Sequence, residues 1–445
     1  MTTTINNEHE KNQGQKVLNV PTKREQSQAC LSYAEREGLR PKNNVPNLRF
    51  PEFEGEWEKF TFDEIAQYKK GPFGSALKKD IFVPQSEDTI KVYEQQNAIK
   101  KDWTLSRYYI TKGYFNSHMK QFVAKAGDLI VSCAGTIGEI YELPQDAEEG
   151  VFNQALMRVQ VNDEAVNKEI FITVFSSMID KFSKIYSNGS AIKNIPPFAD
   201  LKKTQVFLPC KEEQKKIAKL LALLDERIAT QSKIIEDLNK LKSAISKHLF
   251  TRKDLLETTI CLADIATLKN GYAFQSSKYN TQGKWKVLTI ANVSGERYIS
   301  DDDCNCITTL PNDIQDHQVL KEGDILISLT GNVGRVSLCK AGNYLLNQRV
   351  GLLLLAKNVD KEFIYQVLSS QRFENSMIAC GQGAAQMNIG KGDVESYILP
   401  YSSNANNIRM IAEILQSYDE FIINELRVQT LLTMQKQYFL HQMFI

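Results

Sequence analysis

The sequence lacks the equipment of most enzymes. Its eight cysteines are scattered without a single Cys-x-x-Cys pair, and the nearest two, Cys304 and Cys306 in "DDDCNC", read as a loop. The five histidines form no zinc-binding doublet. There is no Gly-x-x-x-x-Gly-Lys-Ser/Thr loop to cradle a phosphate and no nucleophile elbow, and "GQGAAQ", Gly381 to Gln386, is missing the third glycine of a dinucleotide fingerprint. These absences argue against a metal enzyme, a nucleotide hydrolase and a hydrolase of the serine type. No apolar run approaches the roughly 20 residues of a membrane span. The opening "MTTTINNEHEKNQGQK" has no signal-peptide core, so the expectation is a cytoplasmic protein without membrane contact. A dominant charge is missing too, because the net charge is only +1.

That balance hides local bias. Lys69 to Lys120 holds ten Lys or Arg against five Asp or Glu, and Ala266 to Ser300 holds five against one. Either stretch alone is compatible with a solvated face, but their recurrence points to a polyanion.

What the sequence does contain is a repetition. With 445 residues, more than one hydrophobic core is expected. "AGDLIVSCAGTIG", Ala126 to Gly138, returns 196 positions later as "EGDILISLTGNVG", Glu322 to Gly334. "DEIAQYKKGPFGS" from Asp63 is similar to "ADIATLKNGYAFQS" from Ala263, with Ile65, Ala66, Lys69 and Gly71 recurring 200 residues on. Asn153-Gln154 and Asn347-Gln348, Gly189 and Gly383, Asn194-Ile195 and Asn388-Ile389, and "IAKLLALLDERI" and "IAEILQSYDEFI" follow at an offset of 194. Solenoid periods are about 20 to 50 residues, so this spacing means two whole domains built alike. In each, an apolar run, a Gly-containing turn and a second run predict a hairpin, with Cys133 a small core residue. Residues 1–44 are polar and read as a flexible tail, in which only Ala29 to Arg40 has the makings of a helix.

Two stretches, Lys211 to Phe250 and Asn404 to Phe444, contain no Pro or Gly. In the first, Ile217, Leu221, Leu224, Ile228, Ile235, Leu238, Ile245 and Leu249 form a heptad seam interrupted at Gln231 and Lys242. In the second, Ile411, Leu415, Tyr418 and Ile422 take the corresponding places. Helices of about 40 residues span roughly 60 Å. Too long to bury themselves in one small domain, they are expected to pair as an intramolecular antiparallel coiled coil.

"NIPPF", Asn194 to Phe198, is similar to the Asn-Pro-Pro-aromatic motif of amino-methyltransferases, but Ile195 intervenes, the second copy "NIGKG" lacks the prolines, and no donor-binding glycine loop precedes it. A turn is the better reading. The chemistry that remains suits nucleic acid. Candidate DNA contacts are Lys69, Lys70, Ser75, Lys78 and Lys79; Lys100, Lys101, Arg107, Tyr108 and Lys112; Lys269, Asn270, Tyr272, Gln275, Ser276 and Lys278; and Lys284, Asn292 and Arg297. Lysines neutralise phosphates, glycines allow close approach, and Asn, Gln and Arg read base edges.

Over residues of about 45–445 the chain resembles the specificity subunit of type I restriction-modification systems. The resemblance is carried by "VPNLRFPEFEGEW", the paired "GDLIVSCAGTIG" and "GDILISLTGNVG", the Pro209, Glu213, Gln214, Ile217 junction in "LPCKEEQKKIAKLLALLDERI", and the helix ends "SKHLF" and "LHQMFI". It implies an α+β fold with two similar α/β target-recognition domains (45–210 and 251–402) joined by two long spacer helices (211–250 and 403–445). It further implies that this chain is not itself an enzyme but reads the halves of a split double-stranded DNA target. Two methyltransferase subunits would dock on the helices through Glu213, Gln214, Ile217, Leu221, Leu224 and Ile228, and through Ile411, Leu415, Tyr418 and Ile422. Restriction/translocase subunits join such complexes, and S-adenosylmethionine, ATP and magnesium belong to the partner subunits. Association with a DNA-mimicking anti-restriction protein stays open. One departure stands out: Asn407 and Ile408 occupy the places of Glu213 and Gln214 in the second junction. The rival readings are a methyltransferase with a weak catalytic site of its own and a purely structural coiled-coil protein.

Overall fold

The computed structural model describes residues 44–186, 198–381 and 387–444. The N-terminal tail with its Ala29 to Arg40 segment, most of "NIPPF" and of "GQGAAQ", and the Gly189/Gly383 match lie outside them. The described chain divides into two compact units, one made of the residues up to Arg227 with those from Met434, the other of Ile228–Thr433.

In the first unit β1 (Glu58–Thr61) and β2 (Ala66–Lys70) flank one helical turn, and β3 (Thr89–Tyr93), β4 (Tyr109–Thr111) and β5 (Val123–Ala124) follow. Next come β6 (Leu129–Ser132), β7 (Ile140–Glu142), β8 (Gly150–Phe152), β9 (Leu156–Val161), helix α1 (Lys168–Tyr186) and β10 (Gln205–Leu208). They form an antiparallel sheet ordered β2-β9-β6-β7, a mixed sheet β4-β3-β8-β5 whose β3–β8 pair is parallel, and the pair β1-β10. β6 is buried on both faces. Leu129 and Val131 pack toward Ile170, Phe171 and Phe175 of α1, and Ile130 faces Tyr93 and Phe152 of the second sheet. The alternation of side chains along a strand thus produces three layers: helix, sheet, sheet.

The second unit repeats this order strand for strand. β11 (Thr258–Cys261), β12 (Ala266–Asn270), β13 (Trp285–Leu288), β14 (Asn305–Ile307), β15 (Val319–Leu320), β16 (Ile325–Ser328), β17 (Val336–Leu338), β18 (Tyr344–Leu346), β19 (Val350–Leu355) and β20 (Ile398–Tyr401) form sheets β12-β19-β16-β17 and β14-β13-β18-β15 and the pair β11-β20.

The duplicated residues make the same bonds in both copies. Ser132 Oγ accepts from Glu139 N at 3.0 Å, as Ser328 Oγ does from Arg335 N. Asp128 and Asp324 each accept from the backbone N–H three residues earlier, at 3.0 and 2.8 Å. Gly138 and Gly334 close the two hairpins in left-handed backbone, φ 83° and 78°. A Cβ there would lie 2.8 Å from Ile179 Cγ2 and 2.6 Å from Met377 Cβ, so only glycine lets each hairpin press on its helix. The motif is scaffold, and Cys133 lies buried within it, its thiol pushed up to about 12 by burial.

Both long helices are present, α2 at Lys211–Leu249 and, after α3 (Lys361–Leu368) and α4 (Gln371–Cys380), α5 at Ala405–Met443, 39 residues each. In each unit their segments run antiparallel. Asp225 meets Lys436 at 2.5 Å in the first, and Ser232 meets Gln429 and Lys242 meets Asp419 in the second. The seam interruptions are therefore polar cross-pairs: Lys242 with Asp419, and Gln231 with Glu425. Such pairs fix the register of a coiled coil. In the first unit the core is closed from far along the chain. Met443 is buried in it, Phe439, Leu440 and Phe444 pack against it, and Leu48 N donates to Gln442 O at 2.9 Å.

Candidate nucleic-acid interface

The residues expected to dock partners are turned largely inward. Glu213 is fully buried and receives Arg49 through Nε at 2.9 Å and Nη2 at 2.7 Å; this hydrogen bonding raises the Arg49 pKa. Gln214 accepts from Asn167 N at 2.7 Å and donates to Pro209 O and Ala165 O. Ile217 and Leu221 belong to the first core, Ile411 and Leu415 to the second. Leu224 and Ile422 are buried, and Ile228 and Tyr418 are half-buried. Docking through Glu213, Gln214, Ile217, Leu221, Ile411 and Leu415 is corrected on that ground, since burial leaves them no surface to offer. They seat each domain on its helix. The departure at Asn407 and Ile408 fits the same role, because Ile408 fills the second core and Asn407 donates to Leu255 O at 3.1 Å.

Other apolar residues of the helices face water. Leu223, Ile234 and Leu241 on α2 are exposed at spacings of 11 and 7, as are Met410, Phe421 and Val428 on α5. Both spacings close on nearly whole turns, so each trio lies along one face of its helix. The heptad reading missed these stripes because it followed the stronger, inward seam.

Most basic candidates of the first domain are at the surface. Lys70, Ser75, Lys78, Lys79, Lys100, Lys101, Arg107 and Lys112 are exposed, and Lys69 and Tyr108 are half-buried. Lys69 Nζ donates to Gln121 Oε1 at 2.9 Å and lies over the Phe122 ring. Lys101 pairs with Glu139 at 3.1 Å, while Lys112 donates to Glu87 O at 2.6 Å. Arg107 stacks on Tyr108, which stacks on Phe82 with centroids 4.2 Å apart. Lys70, Lys78 and Lys79, on and after the sheet-edge strand β2, have no ion pair among the described residues.

In the second domain Asn270, Gln275, Ser276, Lys278 and Lys284 are exposed and Lys269 is half-buried, near the end of β12 and beyond it. Tyr272 donates to Asp313 Oδ1 at 2.8 Å. Two candidates are corrected. Asn292 is buried with its amide spent: its Oδ1 accepts from Thr289 N at 2.7 Å, and its Nδ2 donates to Ser300 O at 2.9 Å. Arg297 has 8% of its side chain exposed, grips Glu362 of α3 through both terminal nitrogens at 2.7 Å and reaches Asp419 of α5 at 2.9 Å. Burial alone would lower its pKa, yet the two carboxylates outweigh burial and raise it. Neither side chain is presented at the surface where a base edge could reach it.

Among the described residues no group of three His, Cys, Asp or Glu side chains could hold a metal ion, and no helix is long and apolar enough to cross a membrane.

A family model described as the type I restriction modification DNA specificity domain matches this chain twice, over residues 54–240 and 257–433. The chain is 24% identical over 407 residues to the type I restriction enzyme MjaVIII specificity subunit of Methanocaldococcus jannaschii, covering 84% of this chain and 88% of that protein. Two solved structures share the fold. The S subunit of a type I restriction-modification system from M. genitalium matches with TM-score 0.50 at 17% identity, covering 90% of this chain and 99% of that one. A chain solved for the structural basis of complex assembly and conformational transition of the type I R-M system matches with TM-score 0.54 at 16% identity, covering 86% and 96%.

Proposed function

Because the chain belongs to the type I restriction-modification DNA specificity family, with two recognition domains, we propose that it reads a bipartite double-stranded DNA target and presents it to methyltransferase subunits without performing chemistry itself. One observation carries this reading. The two domains share their strand order and sheet pairing, while the exposed loops after β2 and β12 differ, "GPFGSALKK" against "GYAFQSSKY". Matched residues hold the fold, and unmatched exposed ones are free to read two different half-sites. Lysines without ion pairs on those loops supply the phosphate contacts that position a reader on DNA.

The helices act as spacer and platform, and their exposed apolar stripes are the docking faces for the methyltransferase subunits. S-adenosylmethionine, ATP and magnesium are held by the partner subunits, and restriction/translocase subunits join the complex that cleaves. The test is methylome sequencing of cells carrying this gene beside its methyltransferase partner, before and after residues 61–206 are exchanged for those of another allele. One half-site is expected to change; both changing, or neither, would overturn the division of labour. Methyl transfer by the purified chain alone, with labelled donor and DNA, would overturn the non-catalytic reading.

A further inference from the structure

β2 ends at Lys70, and the chain then turns at Gly71, where a Cβ would lie 1.9 Å from Asn153 O. Pro72 is buried, but the next residue, Phe73, is 89% exposed, the most exposed large apolar side chain among the described residues. This exposure is not the result of a loose loop. Ala76 N donates to Phe73 O at 2.8 Å, Tyr114 Oη donates to Ala76 O at 2.9 Å, and Leu77 is buried beside Val92, Ile110 and Val151. The backbone of Phe73 is ordinarily extended, φ −60° and ψ 146°, so no strain forces the ring outward.

An aromatic ring held in water contributes little to the fold. Within six residues of it along the chain are Lys70, Lys78 and Lys79, exposed and without ion pairs among the described residues. An apolar protein surface does not complement that setting. A polymer with phosphates outside and flat apolar faces inside does. In the second domain Gly271 keeps the turn, a Cβ there falling 2.2 Å from Asn347 O, but Ala273 stands where Phe73 would be. The aromatics beside it are engaged: Tyr272 with Asp313, and Phe274 packed against the small core of Val287, Ile307 and Leu345.

We propose that Phe73 is an apolar wedge that enters the base stack at the half-site read by the first domain and partly unstacks one base step, while Lys70, Lys78 and Lys79 hold the flanking phosphates. The wedge rests on the DNA-reading function proposed above. It adds that the distortion is one-sided, because the equivalent position of the second domain is Ala273.

The test uses the chain assembled with its methyltransferase subunits and duplexes of the recognised sequence carrying 2-aminopurine at successive positions other than the methylated adenines. Binding is expected to brighten the probe at one step of the first-domain half-site and at none of the second. Phe73→Ala should abolish that signal and weaken binding about tenfold, the scale of one lost aromatic–base contact. Phe73→Trp should retain both. If Phe73→Ala keeps the signal and the affinity, the wedge is wrong while DNA reading stands. If the variant loses the methyltransferase subunits instead, Phe73 is a protein contact and the wedge is again wrong. If the unaltered complex shows no salt-dependent DNA affinity, the failure is that of the proposed function.

Discussion

Arg297 illustrates how a side chain suited to base recognition can be buried among carboxylates inside a protein. Its guanidinium joins Glu362 and Asp419, and Asp419 also receives Lys242 and Gln366 Nε2, the latter at 2.6 Å. Removing one partner from a buried ion cluster leaves charge uncompensated, so Arg297→Met is expected to destabilise the second domain by about 3 kcal/mol. Thermal unfolding and hydrogen exchange in α3 would report the loss, and the methylated sequence should stay the same. Unchanged unfolding with an altered half-site would return Arg297 to base reading. The frame was legible in the sequence because Gly138, Ser132, Asp128 and their equivalents answer local backbone demands, which recur wherever the turn recurs. Arg297 was misread because burial depends on distant chain, its partners lying 65 and 122 residues away, whereas Asn292 is spent on a local turn with Thr289 and Ser300 that its residue type alone does not announce. Phe73 was quoted within its loop but not singled out, since exposure leaves no periodic trace.

At the scale of the element, the long helices were visible from their seam, though not the assignment of their faces. Periodicity says that apolar residues share a side; it does not say whether that side meets a domain, the other helix or solvent. The seam separates Ile217, which is buried, from Leu223, which is 54% exposed, but it does not say what covers either face. If the stripes are docking faces, Phe421→Glu combined with Val428→Glu should leave the stability of the isolated chain within about 0.5 kcal/mol, as expected at exposed positions. Association with the methyltransferase subunit should weaken at least tenfold, as for loss of an anchoring aromatic. Titration of the purified subunits reads this directly, and unchanged affinity would remove the stripe on α5 from the docking surface.

At the scale of the whole molecule, contacts between the helices are reciprocal: Lys242 meets Asp419, and their counterparts 194 residues away, Lys436 and Asp225, meet each other. Gln231 and Glu425, themselves 194 apart, form a pair, so equal insertions there preserve the seam. Seven residues added to each helix lengthen it by about 10 Å, and the unspecified spacer in the methylated sequence should grow by about three base pairs. An unchanged spacer would end the ruler role. The duplication was readable as a run of offsets; the closure of the first core by residues 439–444 was not, because nothing local announces a partner so far downstream. That closure sets a timetable for synthesis. When Leu221 leaves the ribosome the first domain has its strands but not its lid, and Met443 follows roughly 220 residues later, about 10 to 45 s at ordinary elongation rates. The second core needs nothing beyond Leu415, so the domain translated first is the one completed last, and over that interval Trp57 and its neighbours are surfaces for a chaperone to shield.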